Sequence, residues 1–301
     1  MLLDDFLSDQ RPASRELASI IKAVATTSLS VWSQIPLSTG HYGDSRNPSG
    51  DRQIEIDVFA NEAFVSSLLR TGVVAEVASE ELHSPVLGDG HLHMAIDPLD
   101  GSSNVATNNP IGSVFGVYSS SLPCSGKRML ASAYVTYGPM LTLTFSLGGP
   151  VYRFVLVERE GGKRVFELLD DNITMPAQED VYGFGGLRKD WIPPVETFVS
   201  SLERRGTKLR YGGTFVADYN QVLRYGGIFG YPALRSKPAG KLRVLYELAP
   251  MAFITEKAGG SASNGETSLL SIEPSGLAET SPGYLGNKSL VEELEKLIRS
   301  G

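Results

Sequence analysis

Between Ile111 and Leu169 apolar side chains alternate with Thr and Ser, most clearly at Leu141, Leu143, Phe145 and Leu147, and turn signals at Gly138-Pro139, Gly148-Gly149-Pro150 and Gly161-Gly162 punctuate the run. Alternation with a period of two between short turns predicts an antiparallel meander with one buried face. A pure Rossmann sheet needs helices between parallel strands, so this pattern disfavours it. Helical periodicity flanks the meander on both sides. Leu17, Ile20, Ile21 and Val24 mark a first helix ending before Pro36, and Phe64, Leu68 and Leu69 mark a second ending before Gly72, with a polar loop over 41–52 between them. Downstream, helices are expected near 196–205, 215–224 and 244–258, a strand at 208–211, and a terminal helix carrying Leu290, Leu294, Leu297 and Ile298 on one face. The fold class is therefore α+β: a large mixed, mainly antiparallel sheet between helical layers, followed by a second, smaller α/β part. The polar stretch 170–180, with Pro176, suggests a division into 1–175 and 176–301.

Just upstream of the meander lies Asp97-Pro98-Leu99-Asp100-Gly101-Ser102-Ser103, directly behind the apolar segment Leu92, Met94, Ala95, Ile96. Two carboxylates therefore stand at the exposed end of a buried strand. Pro98 fixes one backbone angle between them, which suits two oxygen ligands converging on a hard divalent cation. Gly101 lets the backbone approach a ligand closely. Ser102 and Ser103 add hydroxyls and unpaired helix-start amides, a ready site for a phosphate oxygen. The competing reading is an Asx turn in which Asp100 caps a short helix.

Further acids could join this loop: Asp51, Asp57, the pair Glu80-Glu81, and Glu247. Val73, Val74 and Val77 read as a short strand that delivers Glu80 and Glu81, where a cation would relieve their mutual repulsion; alone, the pair could equally be a solvated turn. Glu247 sits in the apolar stretch Leu245 to Phe253, which would not bury an unpaired carboxylate. An oxygen-only site of this kind suits Mg²⁺ or Mn²⁺ rather than zinc or copper, and fits in-line phosphoryl transfer to water.

Charge and cysteine content exclude other classes. Lys and Arg number 27 against 34 Asp and Glu, a net charge of −7, and no basic run tracks a nucleic-acid backbone. Cys124 is the only cysteine, so neither an intrachain disulfide nor a cysteine-based zinc cluster can form, and a reducing compartment fits best. Acids near the N-terminus (Asp4, Asp5) and the lack of a membrane-length apolar run point to a soluble, cytoplasmic protein with no membrane partner, or a plastid one if a transit segment has been removed.

The string Asp97 to Asn104 (DPLDGSSN), with Ser79-Glu80-Glu81, Tyr225 to Phe229 (YGGIF) and Lys241 to Gly260 (KLRVLYELAPMAFITEKAGG), closely resembles the class I fructose-1,6-bisphosphatases of the metal-dependent, lithium-sensitive sugar-phosphatase superfamily. The resemblance implies a layered α/β/α/β/α fold and removal of the 1-phosphate of fructose 1,6-bisphosphate. It implies metal ligands at Glu80, Glu81, Asp97, the Leu99 carbonyl, Asp100 and Glu247, holding two or more Mg²⁺ per subunit with Mn²⁺ as a substitute. Asp51 and Asp57 match acids that help activate water, and Gly101, Ser102 and Ser103 match the phosphate cradle. Tyr211, Tyr231 and Lys241 would hold the distal end of the sugar bisphosphate, as would Arg210 reaching into a neighbouring subunit of a homo-oligomer, dimer or tetramer. From the residues alone, the two tyrosines could be core aromatics, and Lys241 and Arg243 a solvated strand edge.

Two departures bear on substrate and regulation. Phe184-Gly185-Gly186-Leu187 stands where the family has Asn-Glu-Gly-Tyr, so two distal side-chain donors are missing; glycine amides or Arg188 are the candidate replacements. This segment and Leu209-Arg210-Tyr211 also resemble sedoheptulose-1,7-bisphosphatases, whereas Tyr231 matches the fructose enzymes. His91-Leu92 and Ser119 replace the Lys-Tyr pair and Arg of the family's AMP site, so AMP inhibition there is not expected. His91 and His93 alternate on a strand and fit structural surface histidines better than metal ligands.

Overall fold

The computed structural model describes residues 1–10, 14–38, 42–48, 50 and 52–300. Helices α1 (Leu3–Ser8), α2 (Arg15–Gln34) and α3 (Glu55–Leu69) come first, with a short antiparallel pair, β1 (Tyr42–Arg46) and β2 (Arg52–Ile54), between α2 and α3. That pair replaces the loop expected over 41–52. Its many polar residues gave no alternation to read.

Eight strands then form the large sheet: β3 (Val74–Ser79), β4 (Val86–Leu87), β5 (Leu92–Asp100), β6 (Ile111–Tyr118), β7 (Met129–Tyr137), β8 (Leu141–Ser146), β9 (Tyr152–Glu158) and β10 (Arg164–Asp170), in the order β10-β9-β8-β7-β6-β5-β3-β4. All neighbours run antiparallel except β3 and β5. The meander is present, but its central strands are buried on both faces: every residue of β6 and β8 is inaccessible. Leu141, Leu143 and Phe145 pack under α2 and α3, while the opposite face carries Thr142, Thr144 and Ser146. Those hydroxyls looked solvated because they are polar. They tolerate burial because they find partners, as when Thr144 Oγ1 accepts from Arg153 Nε at 3.2 Å and Ser146 Oγ donates to the Gly149 carbonyl at 2.8 Å.

The second sheet begins with β11 (Val181–Phe184) and α4 (Pro193–Arg204), then β12 (Lys208–Leu209), α5 (Phe215–Tyr225) and β13 (Gly227–Tyr231). After β14 (Leu242–Arg243) come a π turn (Val244–Leu248), α6 (Ala249–Lys257), β15 (Ser261–Ser263), β16 (Thr280–Ser281), β17 (Gly283–Gly286) and α7 (Lys288–Ser300). Strand order is β12-β11-β13-β17-β15, while β14 and β16 pair separately. The expected strand at 208–211 stops at Leu209. Helices α5 and α6 lie between the two sheets, where Val216, Tyr219, Met251 and Ile254 meet Val114 and Tyr134 of the large sheet and Phe229 and Leu285 of the small one. Phe198 and Leu202 of α4 and Leu290 and Leu294 of α7 cover the outer face of the second sheet. The result is five layers, α/β/α/β/α, each apolar face meeting another. No helix among the described residues is long and apolar enough to cross a membrane.

Candidate active site at the seam between the sheets

The C-terminal ends of the parallel strands β3 and β5 open toward the N-terminus of α5 and the π turn, around a cavity of about 320 Å³. Glu80 and Glu81 follow β3 immediately. Asp97 and Asp100 lie at the end of β5, where its pairing with β6 loses register. Glu247 arrives on the π turn, in which the Ala249 amide bonds the Val244 carbonyl five residues back. Oxygens of Glu80, Asp97 and Glu247 lie within 4.8 Å of one another.

Three carboxylates at that spacing, two of them buried and that of Glu80 largely so, repel one another strongly. Burial, then the charge of Glu247, pushes the Glu80 carboxyl well above the ordinary range, opposed by Arg243; burial and Glu80 do the same to Asp97. Burial raises Glu247 as well, again opposed by Arg243. Part of the charge is offset by Arg243, whose guanidinium stands 2.7 Å from Glu80 and 3.7 Å from Glu247, while its amide donates to Glu247 Oε2 at 2.6 Å. One arginine cannot balance this cluster. Glu80 Oε2 is buried with no hydrogen-bond partner among the described residues. An orphaned carboxylate oxygen facing two more, with no sulfur or imidazole in the set, is what a hard divalent cation would complete.

The next residues, Gly101 to Ser103, line the edge of the same cavity, with Gly101 tightly packed. Gly101 adopts φ +76°, and a Cβ there would come within 2.6 Å of Thr214 Oγ1, so glycine is required by both conformation and space. A 3₁₀ turn follows over Ser102–Thr107. Asp100 Oδ2 accepts from the Val216 amide at 2.7 Å, which fastens the loop to the start of α5; burial still raises its carboxyl to about 7. Asp57, in the first turn of α3, accepts from the Ile54 amide at 2.8 Å and is likewise raised to about 7, mainly by burial. At the opposite end Tyr211, Tyr231 and Lys241 face the same cavity, with Lys241 Nζ 5.6 Å from the centre of the Tyr231 ring.

With this geometry, the relatives decide the family. Residues 8–167 match the family model for the fructose-1-6-bisphosphatase N-terminal domain, and residues 175–299 match that for the C-terminal domain. This chain belongs to the fructose-1,6-bisphosphatase family. A class 1 fructose-1,6-bisphosphatase of Haloarcula marismortui is 44% identical over 286 residues, covering 95% of this chain and 96% of its own. The Geobacter sulfurreducens class 1 enzyme is 39% identical over 279 residues, 91% of this chain and 88% of its own. The Leishmania major fructose-1,6-bisphosphatase solved in holo form superposes with a TM-score of 0.92 at 28% identity, covering 99% of both chains.

Of the residues singled out from sequence, Asp57, Glu80, Glu81, Asp97, Leu99, Asp100, Gly101, Ser102, Ser103, Tyr211, Tyr231, Lys241 and Glu247 all line the one cavity. Asp51 lies outside the described residues. Arg210 does not line it; exposed beside β12, its guanidinium donates to the Leu209 carbonyl at 3.1 Å. Arg188 is no replacement for the missing distal donors, because Glu196 (2.9 Å) and Glu203 (3.0 Å) hold it on the outer face of α4. Reading Arg243 as a solvated strand edge also fails: it is 8% exposed and sits among the acids. The histidines are structural: His93 pairs with Glu76 at 2.8 Å and His91 with Glu16 at 3.2 Å.

Lining polar side chains that the sequence reading did not mention include Asn47, Gln53, Thr214 and Asp218. Gln53 donates to Glu81. The only signal for Asp218 was a carboxylate in the first turn of a helix whose surroundings are apolar.

Proposed function

We propose that this protein is a Mg²⁺-dependent fructose-1,6-bisphosphatase, releasing the 1-phosphate as inorganic phosphate and leaving fructose 6-phosphate. The observation that carries the reading is one cavity holding a buried acid cluster and a Gly-Ser-Ser cradle at one end and two tyrosines and a lysine at the other. Glu80, Glu81, Asp97, the Leu99 carbonyl, Asp100 and Glu247 would hold the cations. Bound there, Mg²⁺ supplies Lewis-acid stabilisation of the phosphoryl oxygens and lowers the pKa of an attacking water. The amides and hydroxyls of Gly101 to Ser103 orient the reacting phosphate. Asp57, titrating near 7, is suited to accept a proton from water at working pH, with Asp51 assigned the same task by family resemblance. Water's oxygen forms the new bond to phosphorus, the bond from phosphorus to the sugar oxygen breaks, and that oxygen ends protonated. Residues 1–175 then supply the reacting end and most of the cation ligands, and 176–301 the distal end and Glu247. Arg210, exposed and outside the lining of its own cavity, suits a reach into a neighbouring subunit of a cytoplasmic homo-oligomer.

One observation favours a second reading. Phe184-Gly185-Gly186-Leu187 lacks the two distal side-chain donors of the fructose enzymes and resembles the sedoheptulose-1,7-bisphosphatases, which suits sedoheptulose 1,7-bisphosphate. Phosphate release from the fructose and sedoheptulose bisphosphates and from inositol 1-phosphate, with Mg²⁺ and after chelation, tests both. The first reading expects the highest kcat/KM on fructose 1,6-bisphosphate and none after chelation; a lower value there than on the other two substrates would refute it.

A further inference from the structure

Asp218 is 2% exposed, and the cation cluster does not use it. From the first turn of α5 its carboxylate reaches back to accept the amides of Gly212 at 2.6 Å and Gly213 at 3.0 Å, and that of Thr214 as well. Three convergent amide donors on one carboxylate help fix a loop in which Gly213 has φ +85° and no side chain to pack. The same loop is stitched from the other side. Asn104, the last residue of the DPLDGSSN string, donates from Nδ2 to the Gly212 carbonyl at 3.0 Å and to Thr214 Oγ1 at 2.5 Å. Thr214 Oγ1 in turn donates to the Pro110 carbonyl at 2.8 Å, and the amide of Val216, two residues on, grips Asp100.

Loop 212–214 therefore bridges the two ends of the cavity: the cradle lies on one side of it, and Tyr211 is its immediate neighbour on the other. We infer that Asp218 and Asn104 are positioning residues that hold Tyr211 at a fixed distance from the phosphate cradle, and so set the length of the bisphosphate that spans the site. This rests on the function proposed above. Neither side chain touches the reacting atoms; both act through the Gly212-Gly213-Thr214 backbone. Converting the Asp218 acceptor to an amide turns an NH₂ group toward N–H donors, so the loop loses its anchor while side-chain volume is conserved.

The test is calorimetric binding of two probes to the Mg²⁺-loaded full chain: fructose 6-phosphate, which carries the distal phosphate, and inorganic phosphate, which occupies the cradle. Asp218→Asn should weaken fructose 6-phosphate at least ~10-fold and inorganic phosphate less than ~2-fold. In turnover, KM for the bisphosphate should rise by a similar factor, with kcat within ~3-fold. In a Tyr211→Ala background the Asp218→Asn effect on fructose 6-phosphate should largely vanish, because the residue it positions is gone. Equal weakening of both probes, an unchanged fructose 6-phosphate affinity, or full additivity with Tyr211→Ala overturns the inference. If Asp218→Asn does not fold, Asn104→Ala carries the same expectations and the same refutations. A wild-type chain that releases no phosphate from fructose 1,6-bisphosphate refutes the proposed function; a wild type that does, alongside either refuting pattern, refutes the positioning role alone.

Discussion

At the acidic end of the cavity Glu80, Asp97 and Glu247 stand on strand ends and a π turn inside the core, whereas at the far end Tyr211, Tyr231 and Lys241 rim the second sheet, with Tyr211 44% exposed. The acids are close, buried and mutually repulsive, so their arrangement costs folding free energy that a cation would recover. The rim residues are spread out and partly solvated, and their placement opposes nothing. The difference teaches where each property resides. On the function proposed, chemistry would depend on groups the fold holds against their own preference, and substrate choice on groups at the more open rim.

The sharpest break of that division is Asp97→Asn. It should lower kcat by ~10³-fold or more through loss of metal-dependent stabilisation, yet leave the metal-free Tm unchanged or higher, because one repelling charge is gone. A kcat within tenfold of wild type would place the chemistry elsewhere. Next in size, Lys241→Ala should raise KM for the bisphosphate ~10- to 100-fold, the worth of one charge-assisted contact to phosphate, with kcat nearly constant. Steady-state kinetics showing the reverse split would erase the contrast between the ends.

A smaller effect distinguishes the ends by pH. Asp57 and Asp100 titrate near 7 in the folded chain and near 3.8 unfolded, so between those values the folded state binds more protons. Metal-free stability should therefore fall as pH rises from about 4 to about 7, the opposite of a salt-bridged carboxylate. Thermal melts in chelator should show a Tm at pH 7.5 below that at pH 5.5 by a few degrees, each kcal/mol being worth roughly 2 °C at this size; saturating Mg²⁺ should remove the difference. A flat profile in chelator would mean that burial does not raise these two carboxyls as described. The smallest effect is expected from Gly185→Ala, whose new methyl would meet the Tyr231 ring at 2.4 Å and the Tyr211 hydroxyl at 2.9 Å. Both rings can turn aside, so KM should rise only ~3- to 10-fold; an unchanged KM for every substrate would remove the distal wall from the account of specificity.

How much of this was legible depended on whether the information was contiguous. Asp97 to Ser103 carries two acids, a kink and a cradle in seven residues, and every one of the seven but Pro98 lines one cavity. A large mixed sheet between helical layers followed from alternation and helical spacing, and the five-layer arrangement from the family resemblance. What stayed hidden depends on which strands meet. Thr142 and Thr144 read as solvent-facing because a sequence does not say that a second helical layer covers them. Arg243 read as a strand edge because its acids, Glu80 and Glu247, come from different elements. Gln53, Thr214 and Asp218 act through partners brought close only by the assembled seam. The short pair β1 and β2 was missed because its residues are mostly polar, with Tyr42 and Ile54 only at its ends.

The π turn at Val244–Leu248 holds one residue more per turn than the α-helix it leads into. Removing any one residue from it other than Glu247 would let the backbone relax to α geometry, swinging everything upstream by about 100° relative to α6. Glu247 would leave its neighbours, and Arg243 would lose its hold on both acids. The aim of this carboxylate is thus written as a chain length rather than as a side-chain identity. A substitution scan would pass over it, while the loss of a single codon would disarm the site and leave its acids intact.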